Sequence, residues 1–139
     1  MSKQLKVLVI EDSPEFREFI VEYLLKPNDF AVEVAEDGFS GLSKALKTAP
    51  DLILTDYELP KMSGVEVIHH VKSDPETKHI RCVAVTAFMW DHIAQSAGQV
   101  GCDGFIAKPF NSVRLLQEVA KYVALPAKPS SGPGALTRA

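Results

Sequence analysis

The chain has 139 residues, 46% of them apolar and 24% charged, with a formal net charge of −3. That is the size of one ordinary domain with material for a real core, and the slightly acidic balance gives no reason to expect nucleic acid or a membrane surface as a partner. No apolar stretch approaches spanning length, the amino terminus has no signal-peptide pattern, and Cys82 and Cys102 form neither a C-x-x-C pair nor a metal spacing with the four histidines, so they read as reduced, packed thiols of a cytoplasmic protein.

The first apolar run is Leu5 to Ile10, broken only by Lys6, and it ends in Glu11-Asp12. Ser13-Pro14 then supplies a helix cap followed by proline at the first helical position. Phe16, Phe19, Ile20, Tyr23 and Leu24 follow at amphipathic spacing, and Pro27-Asn28 stops that helix. Phe30 to Ala35 alternates apolar and polar residues, which suits an edge strand with one wet face. Asp37-Gly38 turns the chain into a second helix marked by Leu42, Ala45, Leu46 and Ala49 and closed by Pro50. Leu52 to Thr55 is a strand apolar on both faces that ends in Asp56. After a loop around Pro60, Ser63-x-x-Glu66 has the form of a capping box for a third helix with Val67, Ile68 and Val71 buried, ending at Asp74-Pro75. Cys82 to Val85 is a fourth strand ending in Thr86-Ala87. A helix over Met89–Val100 comes next, with Gly101 past its end. Gly104 to Ala107 is a fifth strand ending in Lys108-Pro109, and Leu115, Leu116, Val119 and Val123 mark the last helix. From Leu125 the composition turns to Pro, Ser and Gly, which cannot build a core, so residues 125–139 read as a disordered tail or linker after a domain of residues 1–124.

Strands alternating with helices imply right-handed βαβ units, one parallel sheet and helices on both of its faces. The first strand is strongly apolar on both faces and the second half polar, which favours an α/β doubly wound (βα)5 fold of flavodoxin type with strand order 2-1-3-4-5. In such a sheet all carboxyl ends share one rim. Glu11 and Asp12 follow the first strand, Asp56 the third, Thr86 the fourth and Lys108 the fifth. The first and third strands flank the switch point where open α/β sheets place ligands. Crowded carboxylates repel unless a cation intervenes, and a hard divalent ion such as magnesium, or manganese in its place, answers that need while leaving room for a phosphoryl group. Lys108 adds a compact positive charge and Thr86 a hydroxyl. Asp56 then reads as a nucleophile for phosphorus that forms an acyl phosphate. Taken one at a time, each residue has a plainer reading. Asp56 is a turn or cap residue, Glu11-Asp12 precedes a capped helix, Thr86 is an N-cap, and Lys108 is a solvated loop lysine. Their joint placement on one rim is what favours chemistry.

The pieces Val7-Leu8-Val9-Ile10-Glu11-Asp12, Asp51-Leu52-Ile53-Leu54-Thr55-Asp56, Leu59-Pro60-Lys61-Met62-Ser63-Gly64, Val85-Thr86-Ala87 and Gly104-Phe105-Ile106-Ala107-Lys108-Pro109-Phe110 together resemble the receiver domain of the two-component response-regulator family, of the chemotaxis-receiver type. The strand order above is also that of the chemotaxis receivers, so it is not independent of this resemblance. The resemblance implies that Asp56 accepts a phosphoryl group from a phosphohistidine of a histidine kinase or a phosphotransfer protein. It implies that Asp12 and Asp56 bind magnesium directly, Glu11 through water, and Glu58 through its backbone carbonyl. It implies that Lys108 pairs with the phosphoryl group, that Thr86-Ala87 binds it, and that Thr86 moves toward it while Phe105 swings into the vacated space. The Lys108–Pro109 peptide is expected to be cis. Apart from the motif, Phe105 would be a plain core aromatic.

The implied function is a phosphorylation-controlled switch whose output is protein binding at the face of the fourth helix, fifth strand and last helix, with self-catalysed phosphoryl transfer and hydrolysis but no turnover of an external substrate. Phe88 and Glu58 flank the acceptor and are expected to set the phosphorylated lifetime, the first by hindering water and the second by orienting it. Trp90 and His92 begin the fourth helix, where partner contact and ordinary exposure are both open. The other readings are a phosphorylation-independent binding module of the same fold, a phosphohydrolase, and a flavin protein. The presence of every key residue argues against the first. The missing Asp-x-Asp-x-Thr after the first strand argues against the second, and the missing Ser/Thr-rich loop there argues against the third. The expected partners are the kinase or phosphotransfer protein and a downstream protein, with no membrane and no nucleic acid bound by this domain. Either no output module follows, or the tail is a linker to one.

Overall fold

The computed structural model describes residues 4–86, 101–108 and 112–124. The helix expected over Met89–Val100 with Phe88, Trp90 and His92, residues Ala87, Pro109 and Phe110, and the 125–139 tail lie outside the described residues.

Five parallel strands, β1 (Lys6–Ile10), β2 (Ala31–Ala35), β3 (Leu52–Asp56), β4 (Arg81–Thr86) and β5 (Gly104–Ala107), form one sheet in the order β2-β1-β3-β4-β5. This is the flavodoxin-like α/β architecture, with its switch point between β1 and β3. Among the described residues the α-helices are α1 (Pro14–Glu18), α2 (Gly38–Thr48), α3 (Gly64–Ser73) and α4 (Ser112–Ala124). Alternate strand residues face opposite layers, as the pleat requires. Val7, Val9, Leu52, Leu54, Val83, Val85 and Ile106 pack with Ile20, Leu25, Leu115 and Val119. Leu8, Ile10, Ile53, Cys82 and Ala84 pack on the other side with Ala45, Val67, Ile68 and Val71. Burial on both faces is why β1, β3 and β4 read as unbroken apolar runs, while the edge strand β2 alternates.

Several local expectations change in detail. The helix that begins as α1 widens to π-helical geometry over Phe19–Leu25 and tightens to a short 3-10 turn at Lys26–Asn28. Ile20, Val21 and Leu25 are buried along it. Asp37 caps α2 by accepting the Ser40 N–H at 2.8 Å, so Asp37-Gly38 is a helix start and not a turn pair. Strand β4 begins one residue early, at Arg81, which is 6% exposed. A buried guanidinium requires an anion nearby, and buried Asp103 supplies it at 4.0 Å while also meeting Lys72 at 3.0 Å and accepting the Cys82 N–H. The capping box is present: Ser63 Oγ accepts the Glu66 N–H and Glu66 accepts the Ser63 N–H. Burial pushes the Cys102 thiol up to about 11, as suits a packed thiol. Among the described residues, no helix is long and apolar enough to cross a membrane.

Candidate functional site

The rim at the carboxyl ends of β1, β3 and β5 is assembled by backbone pairing. Ile10 pairs with Ala35 on one side and Thr55 on the other, so the next residues of β1 and β3, Glu11 and Asp56, leave the sheet side by side. The Glu11 N–H donates to the Ala35 carbonyl at 3.0 Å. The Arg17 guanidinium donates to the Glu11 carbonyl at 2.7 Å, which pins the start of α1 to the end of β1. Asp56 pairs with Val85, and the Tyr57 N–H continues the ladder to the Val85 carbonyl at 2.9 Å. The 57–63 loop then folds back, and the Gly64 N–H donates to the Tyr57 carbonyl at 2.9 Å. A Cβ at Gly64 would lie 2.1 Å from the Asp56 carbonyl oxygen, so only glycine admits this return. Thr86 ends β4 almost fully buried, and its carbonyl accepts the Lys108 N–H at 2.8 Å.

These elements bring one carboxylate oxygen each from Glu11, Asp12 and Asp56 within 4.8 Å of one another. Lys108 Nζ enters the group at 3.4 Å from Asp56 Oδ2 and 3.5 Å from Glu11 Oε1. Glu11 is 3% exposed and Asp12 is exposed. Burial pushes the Glu11 carboxyl up to about 7; the neighbouring Asp56 and Asp12 charges add to the rise, and the Ser13 N–H and Lys108 oppose it. The Asp56 carboxyl is also raised, chiefly by burial, with Lys108 and the Glu58 N–H acting against the rise. Three carboxylates against one ammonium leave an excess of negative charge in a half-enclosed crevice. Oxygen donors in that state suit a hard divalent cation, which would return the carboxyls to their ionised forms.

Of the residues expected at the site, Glu11, Asp12, Asp56 and Lys108 come together, with Thr86 at the same rim. The Glu58 side chain is exposed, and its N–H points loosely at Asp56 Oδ1, 3.4 Å away. Phe105 is half-buried against the core on the α2 and α3 side. Ala87 and the Lys108–Pro109 peptide are outside the described residues. Three contributions went unread in the sequence. Gly64 carried no role beyond the motif that contains it. Gly38 admits the carbonyl of Met62, which a Cβ would meet at 2.3 Å. Lys61, at φ 72°, reaches Asp37 at 3.4 Å and ties the loop after Asp56 to the start of α2.

The raised Glu11 carboxyl has a pH signature in metal-free protein. The folded state holds the proton up to about 7, against an ordinary value of 4.5, so the stabilisation is fully present below 4.5 and lost by about 7. Glu11→Gln keeps the neutral form at every pH. Urea unfolding in chelator is expected to show wild type losing stability relative to Glu11→Gln across that window. A difference that stays constant across the window would contradict the assignment.

Fold and site together define a flavodoxin-like α/β protein with an acidic, lysine-bearing crevice at its switch point. A profile of the response regulator receiver domain matches residues 7–120. Hybrid signal transduction histidine kinase D of Dictyostelium discoideum is 35% identical over 119 residues, which is 86% of this chain and 8% of that kinase. The polar-differentiation response regulator DivK of Brucella anthropi is 32% identical over 117 residues, covering 84% of this chain and 94% of DivK. The structure of the Vibrio cholerae chemotaxis protein CheY4 superposes with a TM-score of 0.81 at 31% identity, covering 86% of this chain and 99% of that one. The chain belongs to the response-regulator receiver-domain family of two-component signalling. Members of that family are signalling modules and not turnover enzymes.

Proposed function

We propose that the protein is a phosphorylation-controlled switch in which Asp56 is the acceptor. The observation that carries this reading is Asp56 Oδ2 held 3.4 Å from Lys108 Nζ within a cluster of three carboxylates at the switch point. An oxygen of Asp56 attacks phosphorus of a phosphohistidine on a histidine kinase or phosphotransfer protein. The O–P bond forms, the P–N bond breaks, and its electron pair leaves with the imidazole, which takes up a proton. Lys108 stabilises the negative charge of the transferring group, the main task in such a reaction. Asp12, Asp56, Glu11 and the Glu58 carbonyl are the groups that would hold magnesium. The bound ion would supply charge neutralisation to the phosphoryl oxygens.

Thr86, the last residue of the strand beside Asp56, and Ala87, next in sequence, are assigned to the phosphoryl oxygens. New hydrogen bonds there favour one of two packings of Phe105 and the face around β5 and α4, and a downstream protein that prefers that packing is recruited. The proposal carries with it a cis Lys108–Pro109 peptide, a receiver domain of residues 1–124 followed by a linker-like tail, and a cytoplasmic setting.

Incubation with acetyl phosphate and magnesium is expected to add one phosphoryl group, visible by intact mass, that is released by mild base as an acyl phosphate should be. Excess chelator is expected to abolish the gain. A gain insensitive to chelator, or an adduct stable to base, would overturn the magnesium-dependent acyl-phosphate reading.

A further inference from the structure

The Lys108 ammonium has a second neighbour besides the carboxylates. Its Nζ lies 4.4 Å from the centroid of the Phe16 ring. The cation is therefore held between an aromatic face and the oxygens of Glu11 and Asp56. A cation within about 6 Å of a ring face is attracted by the negative face of the quadrupole.

The ring is itself anchored. Ser13 Oγ accepts the Phe16 N–H at 3.3 Å, while the Ser13 N–H donates to Glu11 Oε2 at 3.1 Å. One cap residue thus fixes both the backbone that carries the ring and a carboxylate that faces the same lysine. Phe16 stacks on Phe19 with centroids 6.3 Å apart and planes 25° from parallel, and both rings lean on the core under α1.

We propose that Phe16 is a positioning residue for phosphoryl transfer, its ring holding the Lys108 ammonium toward the accepting carboxylate of Asp56. This rests on the reading of Asp56 as acceptor. A lysine is a point charge on a flexible four-carbon stem, so its direction is set by what surrounds its tip. A carboxylate at position 16 would also attract it, but would compete with the arriving phosphoryl group for the same charge. A neutral ring attracts the ammonium without that competition, and the contact does not depend on whether Asp56 is free or esterified. The plainer account is that Phe16 only packs against the core, and the two accounts differ in what they require of Lys108.

Phe16→Leu keeps an apolar side chain of similar bulk and removes the ring; Phe16→Trp keeps a ring face. Two readouts apply to each variant. One is the proton shift of the Lys108 ε-methylene, which an overlying ring moves upfield. The other is the initial rate of phosphorylation by acetyl phosphate with magnesium, in wild-type and in Lys108→Ala backgrounds. Phe16→Leu is expected to abolish the upfield shift and slow phosphorylation roughly threefold to tenfold, with Phe16→Trp restoring both. In the Lys108→Ala background, Phe16→Leu is expected to cause no further slowing. An unchanged Lys108 shift, an unchanged rate, or equal slowing with and without Lys108 would overturn the inference while leaving Asp56 as acceptor. A wild-type protein that takes up no phosphoryl group would overturn the acceptor reading and the transfer role of Phe16 with it.

Discussion

Gly64→Ala is expected to cost about 3 kcal/mol or more of folding stability, at the upper end for a single added methyl group. The clash is with backbone: the added carbon would lie 2.1 Å from the Asp56 carbonyl oxygen, 3.0 Å from its carbonyl carbon and 3.1 Å from the Tyr57 Cα. None of these atoms can rotate away, because the Tyr57 N–H and carbonyl are both hydrogen bonded and Asp56 is paired to Val85. Relief requires the loop after β3 to lift, which displaces the residue that the site is built around. Gly104 provides the contrast. A Cβ there would meet the Tyr122 hydroxyl at 1.9 Å and the ring carbon that bears it at 2.3 Å, but these belong to the far end of a side chain and not to backbone, so its substitution is expected to cost less. Urea unfolding of the two variants tests the difference. Equal costs, or a Gly64→Ala protein as stable as wild type, would mean that the loop does not return over β3 as described.

Removing the ammonium is the second change of large effect. Lys108→Ala is expected to slow phosphorylation by acetyl phosphate roughly a hundredfold, the scale associated with losing one charge stabiliser in a preorganised site. It is expected at the same time to tighten magnesium binding. Lys108 is the positive group between Glu11 and Asp56, and without it their negative potential is available to the metal alone. The opposite signs are the useful feature, since a damaged fold would weaken both. Titration calorimetry for the metal, with quenched-flow mass measurement for the rate, separates the two effects. Loss of both would point to structural damage, and an unchanged rate would remove Lys108 from the chemistry.

The sheet and the charged rim were legible because they are written locally. Burial on both faces leaves unbroken apolar runs in β1, β3 and β4, and the residue that ends each run must lie on the common rim of a parallel sheet. What was not legible depends on partners distant in sequence. Arg81 reads as a strand boundary until Asp103, on the approach to β5, is seen to neutralise it. Phe16 reads as one member of an apolar stripe, and only the sheet brings Lys108 to its ring. The π-helical geometry over Phe19–Leu25 is likewise not anticipated by periodicity at 3.6 residues. Gly38 and Gly64 are demanded by backbone atoms of other segments, and composition gives no sign of those contacts.

Intact mass after incubation with acetyl phosphate and magnesium, run side by side on wild type and Asp56→Asn, tests the central claim most directly. The substitution keeps the size of the side chain and removes the nucleophilic carboxylate. A gain of one phosphoryl group in wild type and none in Asp56→Asn is the predicted result. An equal gain in both proteins, or none in either, would contradict Asp56 as the acceptor, and none in either would favour a receiver fold that binds its partners without phosphorylation.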